Sequence, residues 1–320
     1  MRSFILAFAI LLFFVSGLAA QAGWRTLNSQ TGGDLVTVYF TSAARGWVAG
    51  DRGYIASTDD GGRKWNRVNL DIQDDINEIY FRNEENGYLV AGRKVFITND
   101  SGVTWRETVL FRTGEFRNGT PEFFSIRFAD RRRGLVVGSV LNSKNEVVDS
   151  LVMKTEDGGE TWQRVVVPSK TELFHLDYSG SSLGWIVGDQ GVILATTDGG
   201  SSWQMQQSGT INVLYNVDFR DEDEGFAVGE KGIILRTENG GRDWIKVTTP
   251  YPNTFLRIDF TDDKNGWIVG HGGTVLRSTD KGRSWIRQNT NSSSNLYGLF
   301  MTRRNGWAVG AKGIVLSYLR

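Results

Sequence analysis

Apolar and polar residues alternate along this chain in a unit that recurs down the sequence. The clearest copy runs from Leu214 to Trp244, and similar segments occupy 173–203 and 255–285. Each copy holds three short apolar runs of the form L-x-x-V-x-F, G-W-x-V-G and I-L-x-T, and a fourth run begins at the closing tryptophan. Turn-forming residues separate the runs, so each unit is predicted to form four antiparallel strands. Closing tryptophans at 203, 244 and 285 are 41 residues apart, and a period of about 40–45 residues is typical of propeller blades.

The end of the unit carries its most regular motif, Ser/Thr-x-Asp/Asn-x-Gly-x-x-Trp. The six copies start at Thr58, Thr98, Thr155, Thr196, Thr237 and Ser278. A short Asp or Asn side chain bonds its own backbone in a turn, and glycine takes the positive φ that other residues resist. The tryptophan can then bury a large area between neighbouring sheets. Six copies therefore predict structural hairpin turns rather than catalytic or metal sites.

Two incomplete units at the ends of the chain indicate how a ring would close. Six complete units start at Leu35, Ile76, Phe123, Leu173, Leu214 and Phe255. A last unit from Leu296 lacks its tryptophan strand, and Gly23–Asn28 is a tryptophan strand alone. Together they predict an all-β, seven-bladed β-propeller of four-stranded antiparallel blades over 23–320, in which the Trp24 strand completes blade 7 and removes the open edge. An open array or a six-bladed ring is the alternative, but either leaves half a blade unexplained.

The N-terminus has the pattern of a secretory signal peptide. Arg2 precedes an apolar run from Phe4 to Val15, and Ala20-Gln21-Ala22 supplies a small-residue cleavage pattern. Residues 1–22 are therefore expected to be removed, with a retained anchor as the alternative. We expect a periplasmic or secreted protein, or a lumenal one in a photosynthetic source, without stable membrane insertion. No cysteine stands at the cleavage region, which argues against a lipoprotein.

Charge and cysteine content narrow the possible functions. The chain has 36 basic and 36 acidic residues, whereas nucleic-acid binders normally carry a basic surplus. It has no cysteine, so it can form neither disulfides nor thiolate metal sites. The two histidines, His175 and His271, lack the spacing of metal ligands. We therefore expect no nucleic-acid partner, no metal and no cofactor.

Polar residues interrupt the first strand of each blade, which should be innermost. They include Glu78, Arg127, Asp177, Asp218, Arg257 and Asp259. Neighbouring blades cover both faces of each sheet, so these groups need partners. They are expected to form hydrogen bonds and ion pairs between blades, with a functional polar channel as the alternative.

The connections between strands divide over two opposite faces. The six tryptophan-motif turns share one face with charged loops such as Arg131-Arg132-Arg133, which are best explained as solvated loop tips, with an anion site as the alternative. The other face carries the turns between second and third strands, and these turns are short and mostly basic. Blade 3 departs from the period on this face through two insertions, at Arg106–Glu122 and Ser139–Ser150. Because ring symmetry does not require such insertions and binding residues favour loops on rigid scaffolds, we place the partner site here, toward blades 2 and 3.

The candidate partner-binding residues are basic groups of this face and two aromatic residues of the blade 2–3 insertion. They are Arg52, Arg93, Lys94, Phe111, Arg112, Phe116, Arg117, Lys144, Lys231, His271 and Lys312. Guanidinium groups grip carboxylates and backbone carbonyls, and aromatic side chains anchor partners. An acidic or extended protein segment, bound by a monomer, suits such a rim. The alternative is that the two insertions are decorative and pack on each other.

The sequence carries no recognisable catalytic motif. Arginine spacing follows the repeat and singles out no sialidase-like trio, and no G-x-S-x-G elbow or P-loop is present. We therefore expect a non-catalytic binding scaffold. A glycan-active hydrolase of sialidase or xyloglucanase type is the alternative, and it would need a carboxylate pair in a deep cleft.

The repeat also resembles a known family. The Ser/Thr-x-Asp-x-Gly-x-x-Trp turn is similar to the Asp-box, or BNR, repeat, in which the box is mostly structural. The full pattern L-x-x-V-x-F, G-W-x-V-G, I-L-x-T-x-D-G-G-x-x-W, from Gly23 to the C-terminus, resembles the photosystem II stability/assembly factor family. The resemblance implies a seven-bladed propeller that acts as an assembly or chaperone-like factor for an envelope, membrane or secreted protein, through an arginine-rich surface.

Overall fold

Seven four-stranded antiparallel sheets make up the described part of the chain. The computed structural model describes residues 23–112, 114–116 and 119–319. The predicted signal peptide (1–22) and the candidate residue Arg117 lie outside the described residues. No helix in the described ranges is long and apolar enough to cross a membrane.

The strands follow the predicted units closely. The chain starts with β1 (Gly23–Leu27). Blade 1 holds β2 (Leu35–Phe40), β3 (Gly46–Gly50), β4 (Tyr54–Thr58) and β5 (Asn66–Arg67). Blade 2 holds β6 (Ile76–Phe81), β7 (Gly87–Ala91), β8 (Lys94–Thr98) and β9 (Arg106–Thr108). Blade 3 holds β10 (Thr120–Phe128), β11 (Gly134–Leu141), β12 (Val147–Thr155) and β13 (Gln163–Arg164).

The second half of the ring repeats the arrangement. Blade 4 holds β14 (Leu173–Ser179), β15 (Leu183–Gly188), β16 (Ile193–Thr196) and β17 (Gln204–Gln206). Blade 5 holds β18 (Leu214–Phe219), β19 (Glu224–Gly229), β20 (Ile234–Glu238) and β21 (Ile245–Lys246). Blade 6 holds β22 (Phe255–Phe260), β23 (Gly266–Gly270), β24 (Thr274–Ser278) and β25 (Ile286–Arg287). Blade 7 holds β26 (Leu296–Met301), β27 (Asn305–Gly310) and β28 (Val315–Leu319), and takes β1 as its fourth strand.

The ring closes through the N-terminal strand, as the sequence predicts. β1 pairs antiparallel with β28, in the register Trp24 to Tyr318. The Trp24 ring lies edge-on to Trp267 of blade 6, with centroids 5.6 Å apart. The seven-bladed propeller is therefore confirmed, and blade 7 joins the two ends of the described chain.

The core lies between blades rather than inside them. Each of the seven buried apolar clusters combines side chains of two neighbouring blades. Aromatic rings stack across these junctions, as between Trp185 and Phe219, whose centroids are 3.4 Å apart. Aromatic pairs of this kind contribute about 0.5–1.5 kcal/mol beyond the area that is buried. Each G-W-x-V-G strand thus packs its aromatic residue on the next blade.

The tryptophan-motif turns, called Asp boxes below, have the structural role predicted for them. In the fourth box, the Thr196 hydroxyl accepts the Gly200 N–H at 3.0 Å and donates to Asp198 Oδ1 at 2.7 Å. Asp198 Oδ1 in turn accepts the Ser202 N–H at 2.9 Å. The box backbone also bonds the loop between the first two strands, as in Gly199 N–H to Ser182 O at 2.9 Å. Both sets of connections therefore lie on one face, the box face, and the opposite one is the turn face.

Blade 3 differs from the expected loop. The insertion predicted as a loop over Ser139–Ser150 is mostly strand, because β11 continues to Leu141 and β12 starts at Val147. Apolar residues Val140 and Val147 continue the strand pattern past the point where other blades turn. The actual turn is 142–146, and it projects the hairpin beyond the turn face.

Candidate functional site

An apolar basin opens at the mouth of the central channel on the turn face. Seven residues line its wall, each from the bulged position of a first strand: Val36, Asn77, Phe124, Phe174, Tyr215, Leu256 and Tyr297. Asp34 and Asp51 also line the basin, on the side of blade 1. The basin has a volume of about 350 Å³. The same bulge interrupts the β2–β3 pairing between Leu35 and Thr37 and the equivalent pairings of other blades. Bulges re-aim side chains, which explains how this strand position comes to face the channel mouth.

Aromatic rings form a continuous arc along one side of this basin. The centroids of Phe124 and Phe174 are 5.6 Å apart, and those of Phe174 and Tyr215 are 5.2 Å apart. All three side chains are half-buried, so one edge of each ring remains accessible. Clustered aromatic side chains around a concavity are the usual lining of ligand and peptide pockets.

Arg257 lies at the floor of the basin, where the apolar mouth meets the polar channel. Its Nη1 donates to the Leu256 carbonyl at 3.1 Å. Within the ranges that the structure describes, no carboxylate oxygen lies within 4.0 Å of its guanidinium. Burial lowers the pKa of Arg257 from its ordinary value, but a guanidinium remains charged. The floor therefore offers a cation to an incoming acceptor.

A charged cluster lies deeper in the channel, on blades 2 to 4. Arg127 Nη1 is 2.7 Å from Glu78 Oε1, and its Nη2 is 2.9 Å from His175 Nε2. Burial alone would lower the pKa of Arg127, but Glu78 and Asp177 outweigh it and raise that pKa. Burial, together with Arg127, holds the pKa of His175 well below its ordinary value, so His175 is neutral. The arrangement is an ion pair capped by an imidazole.

Three aspartates line the channel on blades 4 to 6. Asp177 Oδ2 accepts the Phe219 N–H at 2.8 Å, and Asp259 Oδ2 accepts the Met301 N–H at 2.7 Å. Burial raises the pKa of Asp177 to about 6 and that of Asp259 to about 7, and it raises the pKa of Asp218 well above its ordinary value. Proximity of the carboxyls to one another contributes to the shift. These groups bridge blades, as expected, and they also line the channel.

Three tight turns between second and third strands carry a basic residue at their middle position, which follows Asp51 in blade 1 and Glu230 in blade 5. Arg52, Lys231 and Lys312 occupy the same exposed turn position, with φ of 51°, 54° and 56°. This left-handed conformation costs non-glycine residues about 1 kcal/mol or more. Linker aspartates hold two of these turns: Asp75 Oδ1 accepts the Arg52 N–H at 2.7 Å, and Asp34 Oδ1 accepts the Lys312 N–H at 2.8 Å.

The glycine that follows each of these basic residues lets the next linker cross the turn. At Gly53, with φ of 65°, a Cβ atom would lie 1.9 Å from the Ile72 carbonyl oxygen. The side chains at the middle of these turns are exposed. His271 is also exposed on this rim, one position earlier in its turn.

The blade 2–3 sector is less open than the sequence suggests. Phe111 and Phe116 contact edge-to-face, with centroids 5.1 Å apart, and both pack on the buried cluster between blades 2 and 3. The sequence presents them as exposed anchors for a partner, but they cover part of this core instead, because the long linker folds back over that cluster. Arg93 and Arg112 are exposed, as is Lys144 in the 142–146 turn, whereas Lys94 belongs to β8 and is 3.1 Å from Glu107.

The arginine run on the box face is engaged locally. Arg133 pairs with Asp130 at 2.7 Å, and Arg132 Nε donates to the Glu156 carbonyl at 2.9 Å. In residues 23–112, 114–116 and 119–319, no group of three or more His, Cys, Asp or Glu residues could hold a metal ion.

The sequence alone does not reveal the basin. Its residues occupy one position of a strand whose neighbouring residues are ordinary core residues.

The chain matches the model of one protein family over almost its whole length. The family model of the photosystem II assembly factor YCF48 matches the chain over residues 17–106, 63–171, 118–209, 161–252 and 248–319. The chain belongs to the YCF48 family. The resemblance expected from the repeat is thereby confirmed. YCF48 is a family of assembly factors, which agrees with the expectation of a non-catalytic protein.

Individual members of the YCF48 family are distant in sequence. The photosystem II assembly lipoprotein Ycf48 of Synechococcus sp. (strain CC9902) is 27% identical over 154 residues, which are 46% of this chain and 41% of the relative. The chain thus aligns with less than half the length of that relative. A solved structure of YCF48 bound to a D1 peptide is 22% identical, with a TM-score of 0.73 over 93% of this chain and 97% of that one.

Hydrolases share the fold at lower identity. The GH74 xyloglucanase from Xanthomonas campestris is 13% identical, with a TM-score of 0.69 over 93% of this chain and 54% of that one. A likeness at this level shows the propeller fold alone. The channel aspartates here bond the backbone of neighbouring blades and are not a free acid pair in a cleft.

Proposed function

We propose that this protein is a non-catalytic, exported assembly or chaperone-like factor that binds a segment of an envelope, membrane or secreted protein on its turn face. The observation that carries this proposal is the apolar basin, with Arg257 at its floor and a basic rim around it. Membership of the YCF48 family supports the class of function, and the D1 peptide bound to another member supports a peptide as the partner.

The chemistry of the basin suits an apolar side chain of an extended segment. Phe124, Phe174 and Tyr215 provide ring surface, and buried aromatic anchors dominate the energy of many interfaces. Arg257 is placed to donate hydrogen bonds to a carbonyl or carboxylate of the same segment, because its guanidinium has donors to spare.

Basic side chains around the basin suit acidic residues that flank the anchored one. Arg52, Lys231 and Lys312 are held outward by their turns. Candidate residues of the blade 2–3 sector extend this rim on one side: Arg93, Lys94, Phe111, Arg112, Phe116 and Lys144. Arg117, of the same linker, stays a candidate from its sequence position alone. In this proposal Phe111 and Phe116 shape the linker, while the exposed cations of that sector contact the partner.

The location that we propose is outside the cytoplasm. Residues 1–22 would direct export and then be removed, leaving a periplasmic, secreted or lumenal monomer with no nucleic-acid partner. The Synechococcus relative is a lipoprotein, and attachment of a lipid there would also place it at a membrane surface. This chain has no cysteine to acylate, so association with its partner would have to hold it in place.

A titration with a fluorescent D1 peptide, together with a crosslinked pull-down from the native envelope, tests the proposal. Replacing Phe174 and Tyr215 by alanine should weaken binding about tenfold or more, since one hot-spot side chain is worth about 2 kcal/mol. Lys64→Ala with Lys264→Ala, on the box face, is the matched control. Replacing Arg52, Lys231 and Lys312 should make binding weaker and less sensitive to salt. If binding survives these changes but is lost when Arg131, Arg132 and Arg133 are replaced, the site lies on the box face and the proposal is wrong.

A further inference from the structure

The outer strand of blade 4, β17, differs from the outer strands of the other blades. An outer strand is a sheet edge with unpaired backbone groups, and proteins usually protect such edges with charged side chains. Charged residues occur on the outer strands of the six other blades: Arg25, Arg67, Arg106, Glu107, Arg164, Lys246 and Arg287. β17 has the sequence Gln-Met-Gln, and no charged residue stands between Asp198 and Asp218. Its edge is therefore unprotected.

Met205 occupies the position on β17 whose backbone faces outward. In other blades, the residue three places after the tryptophan donates its N–H inward, as Val68 does to Ile55 O at 3.0 Å and Gln288 does to Val275 O at 2.8 Å. Gln206 is the residue three places after Trp203, and it pairs with Ile193 of β16. Inward and outward residues alternate along an antiparallel strand, so Met205 directs its N–H and C=O away from the sheet.

The Met205 position carries a charged side chain in five other blades. These residues are Arg67, Glu107, Arg164, Lys246 and Arg287. Long charged side chains there stay close to their own sheet, as Arg164 does by pairing with Asp149 at 2.7 Å. The Met205 side chain is 49% exposed and has no charge to repel a neighbouring strand.

Two clefts of about 610 Å³ each flank this edge, and Met205 lines both. One runs from the 190–192 turn to Ile211, which is 87% exposed, and no charged residue lines it. The other reaches Leu183 and Trp185 and carries its charged residues only on blade 5. Side chains of an added strand would therefore find uncharged space in the first cleft, and charged residues only on the blade 5 side of the second.

We propose that β17 accepts an extended, uncharged segment of a partner protein as a fifth strand of blade 4. The segment would exchange backbone hydrogen bonds with Met205, and its alternate side chains would occupy the two clefts. Main-chain bonds give affinity and flanking pockets give specificity when a strand adds to a sheet edge.

A second copy of this chain fits the edge less well than an extended segment. The three residues of β17 span about 10 Å, whereas a stable interface buries about 800 Å² on each partner. On a convex rim, the outer strands of blades 3 and 5, with Arg164 and Lys246, limit how closely another propeller can approach. A single strand reaches the edge without meeting them.

An acetylated Val-Thr-Val-Thr-Val-Thr peptide with a terminal fluorescein tests the proposal on the intact protein. We expect saturable binding by anisotropy, and slower hydrogen exchange of the Met205 and Gln207 amides. The same peptide with N-methyl groups on alternate residues should not bind, because the ladder cannot form. Absence of protection at these amides under saturating peptide, or equal binding of the N-methylated peptide, would overturn the proposal.

Met205→Arg provides the matching variant, since arginine stands at this position in blades 1, 3 and 6 and should fold there. It should weaken peptide binding about tenfold or more with an unchanged melting temperature. Arg287→Met on blade 6 is the control and should leave binding at β17 intact. Unchanged binding by Met205→Arg would contradict the proposal, as would a dimer in light scattering that this variant dissociates. Phe174→Ala should have no effect, which separates this surface from the basin.

Discussion

Asp177 of blade 4 accepts a hydrogen bond from the backbone N–H of Phe219 in blade 5, 42 residues later, at 2.8 Å. The same contact links Asp259 to Met301, and Asn216 makes a similar bond to the Ile258 N–H at 3.0 Å. Polar residues of the innermost strands therefore fasten blade 4 to blade 5, blade 5 to blade 6 and blade 6 to blade 7. They also place carboxyl groups in a channel where their ionisation is unfavourable.

Stability should therefore fall as pH rises toward neutrality. The folded-state pKa of Asp259 is raised to about 7 by burial and by Asp177, whereas the unfolded value is about 4. The folded state thus binds the proton more tightly, and its advantage is lost as pH rises from about 4 through 7. Between pH 5 and pH 8, the unfolding free energy of wild type should fall by about 2.5 kcal/mol more than that of Asp259→Asn.

Urea unfolding of both proteins at pH 5 and pH 8 measures this difference. The comparison cancels His175, whose lowered pKa makes an opposite contribution below about pH 6.5. Asparagine keeps the acceptor for the Met301 N–H, as Asn216 does in blade 5. If the unfolding free energies of the two proteins change equally with pH, ionisation of Asp259 does not destabilise the folded state, and the prediction is wrong.

Closure through β1 should contribute strongly to stability. Deleting 23–28 exposes the β28 edge, so the truncated protein should aggregate or unfold at much lower urea. Trp24→Ala removes the contacts with Trp267 and Tyr318 and should cost about 3 kcal/mol, the low end for Trp→Ala, because Trp24 is only half-buried. Arg25→Ala is the control, with a small effect. A stable, monomeric truncation would show that the ring closes without this strand.

The Asp boxes should stabilise the fold without metal. Thr196→Val removes the acceptor for the buried Gly200 N–H and should cost about 1–3 kcal/mol. Thr196→Ser is the control, because Ser278 makes the same bond in the sixth box at 2.9 Å. EDTA should leave the melting temperature of wild type unchanged. A drop of several degrees with chelator would instead make the box a metal site.

The repeat predicts the fold because the same type of residue fills the same structural position in successive blades. Trp24 and Tyr318 could be assigned to one blade from the two half-units alone. The basin could not be found in this way, since the bulge that turns Phe174 and Tyr215 to the mouth leaves no sequence signature. Burial of Phe111 depends on how a linker folds, and local sequence does not determine that.

Crosslinking mass spectrometry of the protein with its partner from the native envelope tests the central claim most directly. Lysines mark both faces: Lys144, Lys231 and Lys312 on the turn face, and Lys64 and Lys264 on the box face. An amine-reactive crosslinker should join the partner to Lys231 and Lys312 foremost, and these links should disappear when Phe174 and Tyr215 are replaced by alanine. Links confined to Lys64 and Lys264, unaffected by those substitutions, would contradict a binding site on the turn face.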